Sequence, residues 1–249
     1  MKYIVAGNWK MHLTHSEVLN LALELKESLI EQSRKIDIFV FPPTIFLKDV
    51  QDVLFGSLIK TGVQNMYFQD EGAYTGETSP LMLKSINCSL ALIGHSERRE
   101  YFKEDDEMLR YKLLACKKWD ILPILCIGER LEERESGKTE DILASQITKA
   151  LDKTEMERLV IAYEPVWAIG TGKTATPRQA QEAHAFIKKL VKHIMEKDVP
   201  VLYGGSVKVE NAKELAREKD IDGFLIGGAS LHKESFVKIV NEFIRMKNL

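Results

Sequence analysis

The sequence predicts an α/β fold in which eight parallel β-strands close into a (β/α)8 barrel surrounded by helices. Eight short apolar segments alternate with amphipathic segments along the whole chain. The short segments are apolar at nearly every position, which indicates strands buried on both faces, as in parallel sheets covered by helices. Their first residues are 21 to 42 residues apart, which leaves room for a helical crossover each time. An open, doubly wound sheet is the alternative, because periodicity does not show whether a sheet closes.

The predicted strands are rich in β-branched residues and are bounded by glycine or proline. Pro123 has no N–H group to donate within a sheet, so we expect it at the start of its strand. The eight strands are predicted at residues 3–7, 36–41, 58–63, 89–94, 121–127, 158–163, 200–204 and 221–227.

Helical periodicity is clearest in the first and last of the intervening segments. Thr14 and Glu17 have the spacing of a capping box that opens the first helix. Pro177 suits the first turn of a later helix. Apolar residues at three- and four-residue spacing form a stripe along the last helix; they are Phe236, Ile239, Val240, Phe243 and Ile244.

Composition and charge exclude several functional classes. The chain has 249 residues, of which 45% are hydrophobic, so we expect one domain, the barrel, over residues 1–249. The 35 Lys and Arg against 37 Asp and Glu give a net charge of −2, which argues against nucleic acid or an anionic membrane as the main partner. No apolar run approaches the ~18 residues of a transmembrane helix, and the apolar stretch at 3–7 is too short for a signal peptide.

The cysteines indicate the compartment. Cys88, Cys116 and Cys126 are an odd, sparse set without a Cys-x-x-Cys pair. Such cysteines are typical of reduced thiols in a cytoplasmic protein and do not suit a disulfide framework or a zinc site. The histidines show no metal-ligand spacing, so we predict no metal site.

Polar and glycine residues gather at the carboxyl ends of five predicted strands, where (β/α)8 barrels place their active sites. They are Asn8 and Lys10 after the first strand, His95, Ser96 and Glu97 after the fourth, Glu164 after the sixth, Gly204-Gly205-Ser206 after the seventh and Gly227-Gly228 after the eighth. Random scatter would put similar residues at both ends of the strands.

The two glycine pairs predict a phosphate site. Glycine lets backbone N–H groups approach a ligand closely, and successive N–H groups form an anion cradle. Loops after the last two strands of a barrel commonly bind phosphate, together with a helix N-terminus. The alternative is a pair of ordinary strand-to-helix turns, which a single Gly-Gly would favour.

Three charged or titratable residues predict proton-transfer chemistry. We expect His95 at a helix N-terminus, whose positive end favours the neutral imidazole. Glu164 directly follows an apolar strand, where burial suits a carboxylate to accept a proton. Lys10 can pair with Glu97 or with a substrate anion. Taken singly, they also suit a structural histidine, a salt bridge at the rim and a surface lysine.

Six segments resemble the triosephosphate isomerase family, and they occur in the family's order. They are AGNWKMH (6–12), GAYTGETSP (72–80), IGHSERR (93–99), AYEPVWAIGTGKTATP (162–177), LYGGSV (202–207) and IGGASL (226–231). The resemblance implies a TIM barrel that interconverts dihydroxyacetone phosphate and D-glyceraldehyde 3-phosphate through an enediolate, in glycolysis and gluconeogenesis, without a cofactor.

The resemblance also assigns roles to individual residues. Glu164 is the base and His95 the electrophile. Lys10 supplies positive charge and pairs with Glu97, and Asn8 helps to hold the substrate. N–H groups of Gly170, Ser206, Gly227 and Gly228 bind the phosphate. Residues 165–175 are expected to form a lid over the phosphate, because stiff flanks enclose a glycine-containing tip.

Residues 64–79 form the longest irregular stretch and predict a partner chain. Met66, Tyr67, Phe68 and Tyr74 are costly to expose together, so they either pack on their own barrel or meet a neighbour. The resemblance implies a homodimer in which this loop reaches the neighbouring subunit, with Thr75 near its active site; a tetramer is left open.

Two other functions fit parts of the pattern. One is a different phosphate-binding barrel enzyme, such as an epimerase or a synthase, against which the segment YEPVWAIGTG argues. The other is a non-catalytic binding or assembly barrel, against which Lys10, His95 and Glu164 argue together.

Overall fold

All eight predicted strands form: the first is shifted by one residue, and the other seven are shorter than predicted at one or both ends. A computed structural model describes residues 3–168 and 174–249. Its strands are β1 (Ile4–Asn8), β2 (Asp37–Phe41), β3 (Lys60–Thr61), β4 (Leu90–Ile93), β5 (Leu122–Ile127), β6 (Val160–Tyr163), β7 (Val201–Tyr203) and β8 (Gly223–Ile226).

The strands form one parallel sheet in the order β3-β2-β1-β8-β7-β6-β5-β4. The first and last strands are neighbours, with Ile4 opposite Gly223. The remaining seam, between β3 and β4, is joined by a parallel bridge of Val63 with Ala91. There the Val63 N–H donates to Leu90 O at 3.0 Å, and Val63 O accepts from the Leu92 N–H at 2.9 Å. The closed barrel is confirmed and the open sheet is wrong, because an open sheet leaves both edge strands unpaired.

Helices lie between the strands, as their periodicity predicts. The first begins at His15, directly after Thr14, whose N–H donates to the Glu17 carboxylate at 2.7 Å. Pro177 is the first residue of the longest. The helices of the described residues are α1 (His15–Ser28), α2 (Leu47–Leu54), α3 (Pro80–Ser85), α4 (Ser96–Tyr101), α5 (Asp106–Lys118), α6 (Leu131–Glu135), α7 (Thr139–Leu151), α8 (Pro177–Met195), α9 (Val209–Arg217) and α10 (Lys233–Met246).

Two apolar layers result from the strand alternation. Successive side chains of a strand point to opposite faces, so every second residue lies on the same face. One set packs outward against the helices, including the stripe of α10. The other set fills the barrel, with members such as Ile4, Ala6, Val160 and Ala162. In each strand, the next inward-facing residue beyond the strand end therefore lies at the mouth of the barrel.

Pro123 is the second residue of β5, which confirms its expected place near the start. It stands opposite Ala91 of β4, and pairing with β6 begins only at Ile124, opposite Val160. The missing N–H of the proline therefore precedes the β5–β6 ladder.

The 64–79 segment is irregular throughout. Met66 is fully buried in its own barrel, whereas residues 71–77 are exposed. The Tyr67 ring contacts those of Phe68 and Tyr74, with centroids 4.3 and 4.6 Å away. Packing on its own barrel thus accounts for the base of the segment and leaves its tip exposed to solvent.

Over residues 3–168 and 174–249, no helix is long and apolar enough to cross a membrane.

Candidate active site

A pocket of about 270 Å³ opens at the carboxyl ends of the strands and brings most of the predicted site residues together. Asn8, Lys10, His95, Glu164, Ser206, Gly227 and Gly228 line it together with Gly204, Gly205, Val207, Lys208, Leu225 and Ala229. Glu97 does not line the pocket, but its carboxylate pairs with the Lys10 ammonium. Gly170 lies outside the described residues, as does the 169–173 part of the predicted lid. A larger cavity, of about 520 Å³, lies by the carboxyl ends of α7 and α8 and contains none of the predicted residues.

Strand alternation positions two of the side chains. Ile4 and Ala6 of β1 point into the barrel, so Asn8 continues their row at the mouth. Val160 and Ala162 of β6 do the same, and Glu164 continues their row. The alternation of side chains along the two strands therefore directs Asn8 and Glu164 into the pocket.

Glu164 is buried, with only 1% of its surface exposed. Its Oε2 accepts the Ser96 N–H at 2.8 Å. Its Oε1 lies 3.1 Å from His95 Nε2, but the ring N–H is not aligned with it for a hydrogen bond, and no other described residue donates one to this oxygen. A buried carboxylate oxygen without a partner is costly unless a ligand completes the site. Glu164 thus presents one fixed oxygen and one open oxygen.

His95 directly precedes α4 and is buried. The Glu97 N–H donates to His95 Nδ1 at 3.3 Å. An acceptor Nδ1 leaves the proton of a neutral imidazole on Nε2, the atom beside Glu164. The local sequence therefore fixes the tautomer as well as the place of the ring, and Nε2–H is available as a donor to a ligand.

Lys10 is held in an uncommon backbone conformation, with φ of 52°. Its N–H donates to Asn8 Oδ1 at 3.0 Å, and its carbonyl accepts from Gln64 Nε2 at 2.8 Å. Its ammonium pairs with Glu97, and its stem passes so close to Gly227 that a Cβ there would lie 3.2 Å from Lys10 Cε. Backbone strain that is held by several contacts is typical of functional sites.

Open backbone donors lie on the opposite side of the pocket. The N–H groups of Ser206 and Gly227 have no acceptor among the described residues. The helix α9 begins just beyond Ser206, at Val209, and a helix N-terminus attracts anions. This side suits a phosphate, as the glycine pairs predict.

Cys126 lies beneath Glu164 inside the barrel. Burial raises the pKa of its thiol well above the ordinary range, and the neighbouring Glu164 carboxylate adds to the effect. The sequence predicts Cys126 only as a reduced thiol and not as a neighbour of the site, although strand alternation indicates that place: Leu122, Ile124 and Cys126 share the inward face of β5.

A second buried carboxylate, Glu129, was not among the predicted site residues. Its Oε1 accepts from Tyr163 Oη and Trp167 Nε1, both at 3.0 Å, and from Arg134 Nη1 at 3.1 Å. Burial raises the pKa of Tyr163 in this cluster, and Glu129 reinforces the shift. The strand-end argument, applied to β5 as well, points to Glu129, which follows Ile127 and Gly128.

A metal ion would need a cluster of ligating side chains. Across 3–168 and 174–249, no group of three or more His, Cys, Asp or Glu side chains is arranged to hold a metal ion. The pocket instead combines a carboxylate, an imidazole, an ammonium and backbone N–H groups. These groups can move a proton and bind an anion.

Comparisons with known proteins agree with this chemistry. The sequence model of a family described as "Triosephosphate isomerase" matches residues 3–243. Triosephosphate isomerase of Carboxydothermus hydrogenoformans is 49% identical over 246 residues, covering 96% of this chain and 98% of the relative. The enzymes of Caldanaerobacter subterraneus subsp. tengcongensis and Fusobacterium nucleatum subsp. nucleatum are 48% and 47% identical at the same coverage.

Proposed function

Because the chain belongs to the triosephosphate isomerase family, we propose that Glu164, His95 and Lys10 carry its reaction at the barrel mouth. The enzyme interconverts dihydroxyacetone phosphate and D-glyceraldehyde 3-phosphate, a step of glycolysis. The observation that carries the residue assignment is the distance of 3.1 Å between His95 Nε2 and the open oxygen of Glu164. Base and electrophile thus face one bound molecule.

Glu164 is the general base. A proton on the carbon beside a carbonyl is removed only by a base within hydrogen-bonding reach of it. Oε1 faces the pocket without a partner, whereas Oε2 is tied to the Ser96 N–H. The carboxylate takes the proton from one of the two carbons and returns it to the other, which gives aldose or ketose.

His95 is the electrophile. Its Nε2–H donates to the substrate oxygen and stabilises the negative charge that develops in the enediolate. Both oxygens of an enediolate lie in one plane, so a single imidazole can serve them in turn. The Glu97 N–H at Nδ1 keeps the proton on the catalytic side of the ring.

Lys10 supplies the positive charge next to the reacting oxygens, and Asn8 helps to hold the substrate. Glu97 orients the Lys10 ammonium, so the lysine side chain is ordered before substrate arrives. Such preorganisation spares the reaction the cost of reorienting charges.

The phosphate binds to the N–H groups of Ser206, Gly227 and Gly228. Two of these N–H groups have no acceptor among the described residues, and the N-terminus of α9 adds a favourable dipole. The resemblance adds Gly170 to this set. No metal or organic cofactor is needed in this scheme, since His95 and Lys10 polarise the carbonyl and Glu164 moves the proton.

The assembly we propose is a homodimer through residues 64–79. The tip at 71–77 is exposed, and large apolar side chains elsewhere in the described residues are also exposed, among them Met11, Ile45, Met82 and Phe102. Exposed apolar groups of this size mark interaction sites when they are contiguous.

We further propose one barrel domain over 1–249 and a cytoplasmic location. Three unpaired, buried cysteines suit that location.

A coupled assay with D-glyceraldehyde 3-phosphate tests the proposal, with and without a chelator. We expect rapid formation of dihydroxyacetone phosphate that is insensitive to the chelator. Turnover of a different sugar phosphate alone would indicate another barrel enzyme. Phosphate-analogue binding without turnover would indicate a binding protein, and either result would overturn the proposal.

A further inference from the structure

Arg99 is the one α4 side chain that donates hydrogen bonds both to the end of β4, which His95 follows, and to the neighbouring strand β5. Its Nε donates to Gly94 O at 3.1 Å, and its Nη2 donates to Cys126 O at 3.3 Å. Its Nη1 donates to Asp106, the first residue of α5, at 2.6 Å. The side chain is 18% exposed, so little water competes for these carbonyls.

Arg99 donates hydrogen bonds to the peptide units on both sides of His95. Gly94 O belongs to the peptide that precedes His95, and His95 O belongs to the peptide that follows it. The first accepts from the Arg99 guanidinium and the second from the Arg99 backbone N–H, both at 3.1 Å. Gly94 has a φ of 73°, a conformation that a single hydrogen bond helps to define. The direction of the imidazole depends on these two peptides.

The contact with Cys126 O links the same guanidinium to the base. Cys126 lies on β5, between the strands of His95 and Glu164, and its thiol is next to the Glu164 carboxylate. A planar guanidinium with several donors in a fixed fork can hold two carbonyls at once, which an ammonium on a flexible stem does not do.

We propose that Arg99 is a positioning residue for the isomerisation: it fixes the His95 imidazole relative to the Glu164 carboxylate by joining the ends of β4 and β5. This inference rests on the proposed roles of His95 and Glu164. Arg99 does not line the pocket, so it acts through the strand ends and makes no contact with substrate.

The test compares Arg99→Lys with Asp106→Asn. Lysine keeps the charge beside Asp106 but loses the fork, whereas Asp106→Asn removes the ion pair and keeps both carbonyl contacts. We expect Arg99→Lys to lower kcat by about 10- to 100-fold with little change in KM, because a displacement below 1 Å costs that much when the reacting groups are affected. Asp106→Asn should lower the melting temperature and keep kcat.

Nitrogen NMR of labelled histidine gives a second reading. The His95 imidazole shifts should change in Arg99→Lys and stay at the parent values in Asp106→Asn. If Arg99→Lys does not fold, Arg99→Gln, which retains one amide donor, takes its place in both measurements.

Three outcomes are distinguishable. A parent-like kcat in Arg99→Lys, or equal losses of kcat in both variants, would overturn the positioning role alone. An inactive parent, or a His95→Gln variant with full activity, would overturn the proposed function first. A fall in kcat confined to the Arg99 variants, with altered imidazole shifts, supports the inference.

Discussion

His95 Nε2 and Glu164 Oε1 lie 3.1 Å apart although they follow β4 and β6, which are separated in the barrel by β5. Closure of the sheet curves these strand ends toward one mouth, so residues from non-adjacent strands meet there. The distance leaves both atoms within reach of adjacent carbons and oxygens of one small substrate. This relationship makes His95 and Glu164, each of which could be structural by itself, a site for proton transfer.

The tautomer of His95 is the first prediction. We expect a neutral ring with its proton on Nε2 in the resting enzyme near pH 8, because Nδ1 accepts the Glu97 N–H. Nitrogen NMR of labelled imidazole distinguishes the two neutral tautomers from imidazolium. A doubly protonated ring at this pH, or a proton on Nδ1, would show that the assigned electrophile is wrong.

Gly204 should be intolerant of even a methyl group. A Cβ at this position would lie 2.9 Å from Glu164 Cγ, so an added methyl must displace the carboxylate. We expect Gly204→Ala to lower kcat by about 10- to 100-fold through misplacement of the base. Affinity for a phosphate analogue, measured by calorimetry, serves as the control and should change little. Unchanged kcat would mean that the position of Glu164 is less restricted than the structure indicates.

Much of this site can be predicted from the sequence, because a barrel places its active-site residues at the carboxyl ends of its strands. Those strand ends can be recognised in the sequence. Asn8, His95, Glu164, Ser206 and Gly227 each follow a recognisable strand, and the structure places all five at one pocket. Gly170 and the expected lid are not tested, since 169–173 lie outside the described residues. The homodimer also stays a prediction.

The supporting residues could not be predicted in the same way. Arg99 acts through carbonyls of Gly94 and Cys126, and a carbonyl acceptor leaves no trace in residue type. Glu129 gathers donors from Tyr163 and Trp167 because the chain folds back at the end of β6. Such contacts depend on distances across the barrel, which hydrophobic periodicity does not contain.

His184 should make stability depend on pH. Burial lowers its pKa from 6.5 to about 3 in the folded state. The unfolded chain therefore gains a proton below pH 6.5 that the folded chain does not, so this stabilisation is complete above pH 6.5. It is lost as the pH falls toward 3, by about 1.4 kcal/mol per pH unit.

Urea denaturation between pH 7.5 and 4.5 measures this effect. We expect His184→Gln to reduce the pH slope of the unfolding free energy by about one proton. His193→Gln, which changes an exposed histidine on the same helix, should keep the slope of the parent. Equal slopes for His184→Gln and the parent would show that His184 does not carry the pH dependence.

The tip of the 64–79 segment should govern assembly. We expect the 28.4 kDa chain to sediment as a dimer, and Thr75→Arg to shift it toward the monomer, because a bulky charge at a buried interface is costly. Thr148→Arg places the same change on the exposed face of α7 and should stay dimeric. Sedimentation velocity decides, and a dimeric Thr75→Arg protein would place the interface elsewhere.

The most direct measurement is the isomerisation rate of Glu164→Gln against the parent in the coupled triose phosphate assay. Glutamine keeps the shape of the side chain and an oxygen for the Ser96 N–H, but it does not accept the substrate proton. We predict a folded variant that binds a phosphate analogue as the parent does and loses about 10²- to 10⁴-fold in kcat. Glu214→Gln, on the exposed face of α9, should match the parent. Near-normal turnover by Glu164→Gln would contradict the assignment of Glu164 as the base.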